Sequence, residues 1–341
     1  MMKKLLNTLY VTTPESYLSK DGENIVVSLK QKEAFRIPAI NIQSIVTFGY
    51  MGVSPGLMDL CSRFGISLTF LSPSGRFLSR LQYQTRGNVL LRKQQYQISD
   101  DNQKSLHLAR LFIAAKIHNY RIILNRYLRD YGPNQAVELA SMQLKSYKRK
   151  ALLASDKAEL LGHEGIASNC YFSVFNNLIL QQKSFFKFEG RNRRPPKDAV
   201  NALLSFAYTL IANDITAALE SVGLDPYVGF LHSIRPGRAS FSLDLMEEFR
   251  AYLGDRFILS LINKRQISQK DFICQGENSI ILSDNGRRIF ISAWQTRKKE
   301  IITHPYLNEK IEIGLLPQIQ ASMLAKFLRS DIDDYPVFLI Q

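Results

Sequence analysis

The sequence predicts an α+β protein with two domains, a small β-rich N-terminal domain followed by a larger all-α domain. Its 341 residues exceed the usual size of one domain, and 45% of them are hydrophobic, which is enough to fill two cores. Apolar and polar residues alternate up to about residue 90, whereas apolar residues recur every three to four positions from about residue 103. We therefore predict a β-rich domain over 1–90, a linker over 91–104 and an all-α domain over 105–341.

The first domain contains four apolar segments with the pattern of strands and one segment with the pattern of a helix. The strand segments are 25–29, 42–48, 66–72 and 76–85. The helix is predicted over 54–65, because Ser54 can cap its first turn, Pro55 suits the first helical position and Gly65 can end it.

The second domain contains a series of amphipathic segments with helical spacing. We predict helices over 105–131, about 135–150, 153–182, 198–223, 241–252 and 315–332. The segment 198–223 is apolar almost all round, which predicts a buried central helix starting after Asp198 and ending before Gly223. Residues 265–299 are expected to form a peripheral insertion, with a hairpin turn at Asp284–Gly286.

Hydropathy and cysteine usage indicate the cellular compartment in which the protein is expected. No apolar run approaches the roughly 20 residues that span a bilayer, and the N-terminus lacks the apolar core of a signal peptide. Cys61, Cys170 and Cys274 are odd in number and far apart, which favours buried reduced thiols over a disulfide framework or a zinc site. These features predict a cytoplasmic protein with no membrane partner.

The charge balance indicates a polyanionic partner. There are 44 Lys and Arg against 30 Asp and Glu, which gives a formal net charge of +14. The basic residues are distributed along the chain, with clusters at 145–150, 191–194 and 297–299. Charge spread over a folded body is typical of a surface that follows nucleic-acid phosphates, although solubility alone would also explain it.

The most informative segment for chemistry runs from His232 to Arg250. It places an imidazole twelve residues before Asp244, which is followed by Glu247 and Glu248. Asp244 and Glu247 are three residues apart, so on a helix they point the same way, whereas Glu248 is expected to face away as surface charge. A histidine beside carboxylates favours a divalent metal with open coordination positions. A packed histidine and acids that complement a helix dipole are the alternatives.

A third carboxylate with unusual neighbours is Glu164, which Gly162 and Gly165 flank. Small residues let a metal or a neighbouring backbone approach closely. His163 is a further possible ligand, and a surface position near a helix kink is the alternative for both residues.

Glu164, His232 and Glu247 together form a ligand set that suits Mn²⁺ or Mg²⁺. Asp244 would be a further ligand or would orient one of them. In a basic protein, such a metal predicts phosphodiester chemistry.

The order of its motifs makes the chain resemble a known family, the CRISPR-associated adaptation integrases, which are the first-numbered Cas proteins. The motifs are GHEG at 162–165, RNRRPPKDAVNALLSFAYTL at 191–210, GLDPYVGFLH at 223–232, SFSLDLMEEFR at 240–250 and the segment 46–81. The resemblance covers nearly the whole chain, and its specificity lies in the order of the motifs. Residues 294–305 and the C-terminal end resemble the branch found in type I systems.

The resemblance implies roles for particular residues. Glu164, His232 and Glu247 match the metal ligands of the family, and Asp244 matches the acid one turn earlier. Some relatives have aspartate at the position of Glu247, a change that keeps the carboxylate. Many have proline at the position of Ala199, which affects only the stiffness of a loop.

The resemblance also implies an activity and partners. The β-rich domain would form a homodimer, and the all-α domain would be catalytic. The small second-numbered Cas protein would bridge two dimers. The assembly would join the 3′-hydroxyl ends of captured foreign DNA to the CRISPR repeat by metal-assisted transesterification. No nucleotide cofactor is implied, and the sequence contains no P-loop pattern.

Two basic segments are candidates for DNA contact. The candidate contact residues are Arg191, Arg193, Arg194, Arg297, Lys298 and Lys299, all expected in loops. The alternative is that they are solvated surface charges without a DNA partner.

Two other functions compete with the integrase. A general metal-dependent nuclease would use the same metal with water as the attacking group. A noncatalytic nucleic-acid-binding protein would use the acids only as helix caps.

Overall fold

The computed structural model describes residues 8–49, 51–73, 77–81, 88–192, 195–275 and 279–341. Its N-terminal part contains two four-stranded sheets, and the remainder is mainly helical, which confirms the α+β class. The strands are β1 (Thr8–Val11), β2 (Ser16–Asp21), β3 (Asn24–Leu29), β4 (Lys32–Pro38), β5 (Ser44–Phe48), β6 (Gly52–Val53), β7 (Ser67–Leu71) and β8 (Phe77–Leu81).

The two sheets enclose one helix, α1 (Pro55–Phe64). The first sheet has the order β1-β5-β7-β8, in which β8 alone runs antiparallel to its neighbour. The second has the order β4-β3-β2-β6. The predicted ends of α1 are confirmed, because the Ser54 side chain accepts a hydrogen bond from the Leu57 amide and Gly65 has a φ of 66°.

The first sheet is buried on both faces, and this attaches the N-terminal part to the helices. On one face Ile45 and Leu68 join α1 in an N-terminal core. On the other face Val46 and Phe48 belong to the main core, and the ring of Phe48 stacks on that of Phe206 at 5.7 Å. Parallel strands covered on both faces favour the continuous apolar runs that the sequence shows here.

The helices of the second part include those predicted over 105–131, 135–150 and 198–223, whereas the helix predicted over 153–182 ends at Ser173 and the one predicted over 241–252 ends at Met246. The helices of this part are α2 (Val89–Asp100), α3 (Asn102–Tyr131), α4 (Gln135–Leu153), α5 (Lys157–Ser173), α6 (Phe175–Leu178), α7 (Ala199–Ser221), α8 (Ser240–Met246), α9 (Arg256–Asn263), α10 (Asp284–Lys299) and α11 (Leu316–Leu328). A π-helical segment, Arg250–Asp255, connects α8 to α9.

The linker predicted over 91–104 is wrong, because these residues lie in α2 and the first turn of α3. The segment looks polar, yet Leu91 and Ile98 are buried, and so is Gln95. The Gln95 amide donates hydrogen bonds of 2.8 Å to the carbonyls of Asp225 and Val228. A polar side chain thus docks α2 on a distant loop, which hydropathy does not reveal.

The insertion also differs in detail from the prediction. Its hairpin is formed by β9 (Phe272–Cys274) and β10 (Ile280–Leu282), and a second hairpin, β11 (Ile301–Thr303) with β12 (Lys310–Glu312), follows. The predicted turn at Asp284–Gly286 is instead the first turn of α10, because the Ser283 side chain caps it by accepting from the Gly286 amide.

Burial separates the three cysteines. The three cysteines are not joined in disulfides, only Cys61 is buried, and Cys274 is exposed. The expectation of three buried thiols is therefore wrong for Cys170 and Cys274.

The central helix α7 is confirmed as part of the main core. Asp198 accepts a hydrogen bond from the Asn201 amide at its start. Within the described ranges, α7 alone is long and apolar enough to cross a membrane, but 67% of its most apolar window is buried within the protein. Its composition thus reflects packing on all sides.

Asp255, at the end of the π-helical segment, is buried against α7 and makes folding depend on pH. Its Oδ1 accepts a hydrogen bond of 2.6 Å from the Tyr208 hydroxyl. Burial nevertheless raises the pKa of Asp255 from 3.8 to about 6. The folded protein therefore holds this proton more tightly than the unfolded chain. The stability that comes from protonation is present below pH 3.8 and is lost as the pH rises through 6.

We expect Asp255→Asn, which resembles the neutral acid, to become progressively more stable than the parent as the pH rises. The difference should grow from near zero at pH 4 to about 3 kcal/mol at pH 7, because a tenfold difference in proton affinity between the folded and unfolded chains corresponds to about 1.4 kcal/mol. Urea unfolding at several pH values measures it. A difference that does not change with pH would contradict the prediction.

Candidate functional site

His232 and Asp244 form one part of the site, in which a single carboxylate accepts several hydrogen bonds. Asp244, on α8, is fully buried. Its two carboxylate oxygens accept hydrogen bonds from the amides of Phe230 (2.6 Å), Leu231 (2.9 Å) and His232 (3.0 Å), and Oδ1 lies 2.6 Å from Nδ1 of His232. Because an ionised carboxylate only accepts, Nδ1 carries the hydrogen. Asp244 thereby fixes the loop and leaves Nε2 of His232 available.

The loop that carries His232 approaches α8 so closely that only glycine fits at position 229. A Cβ atom there would lie 2.5 Å from Oδ2 of Asp244 and 2.9 Å from the Phe241 amide nitrogen. Since one of these two neighbours is backbone, the strain cannot be relieved by rotating a side chain.

We expect Gly229→Ala to lower the free energy of unfolding by roughly 1–3 kcal/mol, as overpacking of a close contact does. Chemical denaturation measures the change. Gly162→Ala is the matched control, because nothing lies within 4 Å of its Cβ position and alanine favours a helix interior. Equal stability of the two variants would contradict the tight fit at Gly229.

A lysine that the sequence analysis did not assign to the site bridges the carboxylates of Glu164 and Glu247. The ammonium nitrogen of Lys116, on α3, forms an ion pair with Oε1 of Glu164 and lies 2.8 Å from Oε2 of Glu247. Ser168 also donates a hydrogen bond to Oε1 of Glu164 at 2.8 Å. The side chain of Lys116 is 7% exposed and that of Glu164 is 23% exposed, so the cluster opens to solvent on the side of Glu164.

Glu247 is held in its ionised form by surrounding positive charge. Burial opposes ionisation, but the charges of Arg250 and Lys116 outweigh it and lower the pKa of Glu247 to about 2. Oε2 of Glu247 is buried between two cations, because it lies 2.8 Å from Nζ of Lys116 and 3.0 Å from Nε of Arg250.

The residues of this cluster fit a divalent metal in their chemistry. Glu164 and Glu247 supply carboxylate oxygens, Nε2 of His232 is available, and Asp244 orients the imidazole as metal-binding proteins commonly do. Across the described ranges, no three His, Cys, Asp or Glu side chains already surround one point. The ammonium group of Lys116 instead bridges the two glutamates.

Glu248 is not the surface residue that the sequence predicts. It is fully buried, and its carboxylate accepts hydrogen bonds from the Tyr335 hydroxyl (2.7 Å) and the Phe338 amide (2.7 Å). Burial raises the pKa of Glu248 to about 7. The prediction failed because it assumed that Glu248 faces solvent, whereas the C-terminal segment 335–340 covers it.

The glycines beside Glu164 have open space in front of them. Nothing lies within 4 Å of a Cβ built at Gly162 or Gly165, so no part of the described chain approaches closely there. His163 lies 3.4 Å from Glu159, one turn earlier on α5, and beside the ring of Tyr147. It is therefore turned toward its own helix surface.

The basic residues predicted to contact DNA divide into three groups. Arg193 and Arg194 lie outside the described residues. Arg191 donates hydrogen bonds to Asn201 (2.7 Å) and Ser205 (3.2 Å), which anchors its loop on α7.

Arg297, Lys298 and Lys299 occupy the last turn of α10, so their predicted loop is wrong. Lys298 is buried and ion-paired with Asp214 at 2.9 Å, and Arg297 is paired with Glu300, whereas Lys299 is exposed. The helix continues to Lys299 because Phe290 and Trp294 bury its apolar face in the main core.

Two residues of the cluster were not predicted from the sequence, although both left a signal. Lys116 lies four residues after Phe112 and four before Tyr120, in the middle of the buried stripe of α3. A charge at such a position is unusual and requires a partner. Arg250 follows Glu247 by three residues, a spacing that allows a local ion pair, whereas its contact with the ring of Tyr208 at 4.8 Å arises from tertiary packing.

Comparisons with known proteins agree with this architecture. The family model described as CRISPR associated protein Cas1 matches residues 9–296. A protein from Chlorobaculum tepidum named CRISPR-associated endonuclease Cas1 1 is 47% identical over 341 residues, covering 99% of each chain.

Two solved structures share the fold. A Cas1 protein from Thermotoga maritima superposes with a TM-score of 0.82 at 25% identity, covering 98% of this chain and all of the other. A casposase bound to an integration product superposes with a TM-score of 0.82 at 23% identity, covering 96% and 92% of the two chains. The match to the family model and the identity to the Chlorobaculum protein lead to one conclusion: the chain belongs to the Cas1 family of CRISPR-associated proteins.

Proposed function

We propose that this protein is a metal-dependent DNA integrase and endonuclease of CRISPR adaptation. It would join the 3′-hydroxyl ends of captured foreign DNA to the CRISPR repeat by transesterification. The proposal is supported most by the carboxylates of Glu164 and Glu247, which meet at one place that opens to solvent on the side of Glu164, and by the imidazole of His232, which Asp244 orients, in a protein of charge +14. The curated relative named an endonuclease supports the same reaction class.

Glu164, His232 and Glu247 would hold Mn²⁺ or Mg²⁺, and Asp244 would orient His232. The metal would polarise a phosphoryl oxygen and lower the pKa of the attacking hydroxyl. Other residues of the chain would hold these ligands in the right protonation state and orientation. Asp244 keeps the Nδ1 hydrogen of His232 in place, and Arg250 keeps Glu247 ionised and oriented. The opening beside Glu164 would admit the DNA backbone.

The proposal also extends to partners and setting. It includes a homodimer formed through the β-rich domain, the small second-numbered Cas protein as a bridge between two dimers, a cytoplasmic location and membership of a type I system. The similarity of the fold to a casposase that holds an integration product supports DNA as the partner.

An integration assay tests the proposed reaction. A supercoiled plasmid carrying a CRISPR repeat would be incubated with a short labelled duplex, the partner protein and Mn²⁺. We expect label to become covalently joined to the plasmid, and chelation of the metal to prevent it. Cleaved plasmid without joined label would identify the alternative, a general nuclease that uses water. Unchanged DNA, with metal affecting neither products nor thermal stability, would favour a noncatalytic binding protein.

Arg193, Arg194 and Lys299, three of the candidate contacts, predict a defined salt dependence of DNA binding. We expect combined replacement of Arg193, Arg194 and Lys299 by alanine to reduce the slope of log affinity against log salt by about 2 to 3, since each phosphate contact contributes about 0.9. Fluorescence anisotropy with a short duplex measures the slope. Replacing the exposed Lys30, in the turn after β3, and Lys32, the first residue of β4, is the control and should change the slope little. An unchanged slope in the first variant would remove these residues from the DNA surface.

A further inference from the structure

Lys116 occupies a position in the candidate site that neither the proposed chemistry nor the predicted ligand set explains. Its ammonium nitrogen is paired with both Glu164 and Glu247, two of the three proposed ligands. The residue as a whole is 5% exposed, so it was brought there by the fold of α3 and does not lie on a mobile surface. The inference below rests on the proposed function, in which Glu164 and Glu247 are metal ligands, and it concerns the role of the lysine between them.

We propose that Lys116 is a built-in cation that holds the two glutamates together before metal arrives, and that a divalent ion binds only by displacing its ammonium group. The inference follows from the identity of the atoms involved. Nζ of Lys116 contacts Oε1 of Glu164 and Oε2 of Glu247, so it occupies a point that both carboxylates reach, and a metal shared by the two carboxylates would lie at or beside that point. One set of oxygens cannot serve both cations fully.

Electrostatic repulsion strengthens the competition between the ammonium group of Lys116 and a metal. A divalent ion placed beside a buried ammonium group meets a like charge that water screens poorly. Arg250 also lies close to Glu247, so that carboxylate is already well compensated without metal. In the DNA-free protein, each carboxylate therefore has a protein partner, and metal binding must replace one of them.

The displaced ammonium group has two places to go. The ring of Tyr120, one turn along α3, lies 5.8 Å from its nitrogen and offers a weak cation–π contact. A DNA phosphate entering at the exposed side of Glu164 offers a stronger one, because it carries a full negative charge. DNA should therefore favour the displaced position of Lys116 and tighten metal binding, and metal should tighten DNA binding by the same factor.

Metal affinity in the absence of DNA tests the inference. Mn²⁺ binding would be followed by the electron paramagnetic resonance signal of free Mn²⁺ for the wild type, Lys116→Gln and Lys148→Gln. Lys148 is the matched control, because it is a partly buried lysine that contacts His118 and, among the residues that the structure describes, forms no ion pair with a carboxylate. We expect Lys116→Gln to bind Mn²⁺ at least tenfold more tightly than the wild type, and Lys148→Gln to remain within twofold.

Addition of a short duplex gives a second measurement on the same proteins. We expect DNA to tighten Mn²⁺ binding to the wild type several-fold more than to Lys116→Gln, because the variant has no ammonium group to displace. Equal or weaker Mn²⁺ binding by the variant would overturn the inference and leave the proposed function intact. Failure of every protein to bind Mn²⁺, with or without DNA, would instead contradict the metal site itself.

The wild-type protein provides a test that does not depend on the variant folding. Reductive methylation followed by mass spectrometry reports how accessible each lysine nitrogen is. We expect Lys116 to be protected without metal and to become reactive at saturating Mn²⁺, while the reactivity of Lys148 stays constant. Protection of Lys116 that is unchanged by Mn²⁺ would show that the ammonium group stays between the glutamates, which would overturn the inference.

Discussion

His232→Ala is expected to reduce the rate of strand joining roughly a thousandfold, because a bound metal stabilises the transition state by several kcal/mol and each 1.4 kcal/mol is a factor of ten. The imidazole is the only nitrogen ligand in the proposed set, and its Nε2 is the atom that the Asp244 contact leaves available. Single-turnover joining of a labelled duplex to a plasmid measures the rate.

The same change should affect folding only slightly. The His232 side chain is 18% exposed, and Asp244 keeps its three hydrogen bonds from backbone amides when the ring is removed. We expect a loss of about 1 kcal/mol, the usual net value of one hydrogen bond. His163→Ala is the matched control, since His163 adjoins Glu164 but contacts Glu159, and it should join DNA at close to the wild-type rate. Joining by His232→Ala within tenfold of the wild type would contradict the proposed role.

Asp244→Asn is expected to lower both stability and activity, in contrast to His232→Ala. Oδ2 accepts from two backbone amides, and Oδ1 accepts from a third amide and from His232. An asparagine amide in either orientation points its own hydrogens at two of these donors. We expect the free energy of unfolding to fall by about 3–5 kcal/mol, as when one member of a buried ion pair is removed. Joining should fall a further 10- to 100-fold at a temperature where the variant is folded, as for residues that orient metal ligands.

The protein contains its own control for this prediction. His107 and Asp334 form another histidine–aspartate pair at 2.9 Å, but both side chains are exposed. Asp334→Asn should change the free energy of unfolding by less than about 0.5 kcal/mol, because exposed pairs contribute little. Urea unfolding of both variants measures the contrast. Similar stabilities for Asp244→Asn and Asp334→Asn would show that the burial of Asp244 does not strengthen its hydrogen bonds.

Local signals in the sequence were sufficient for many of the elements. The ends of α1 followed from Ser54 and Gly65, and the start of α7 followed from Asp198, because caps act within one turn of the backbone. The change of hydrophobic period near residue 103 indicated a β-rich part followed by a helical part, but the helices begin earlier, at Val89 of α2. The predicted linker failed because the docking of Gln95 on residues 225–228 joins parts of the chain that are about 130 residues apart.

The sequence by itself determined the class of the fold, the caps of its helices and the residue types available for metal chemistry, since each of these depends on near neighbours in the chain. Only the tertiary structure decided what those residues touch. It buried Glu248 beneath the C-terminal segment, and it placed Lys116 of α3 between glutamates of α5 and the end of α8. Such contacts arise because each carboxylate removed from water needs a charged or hydrogen-bonding partner, and the closest partner in space lies far along the chain.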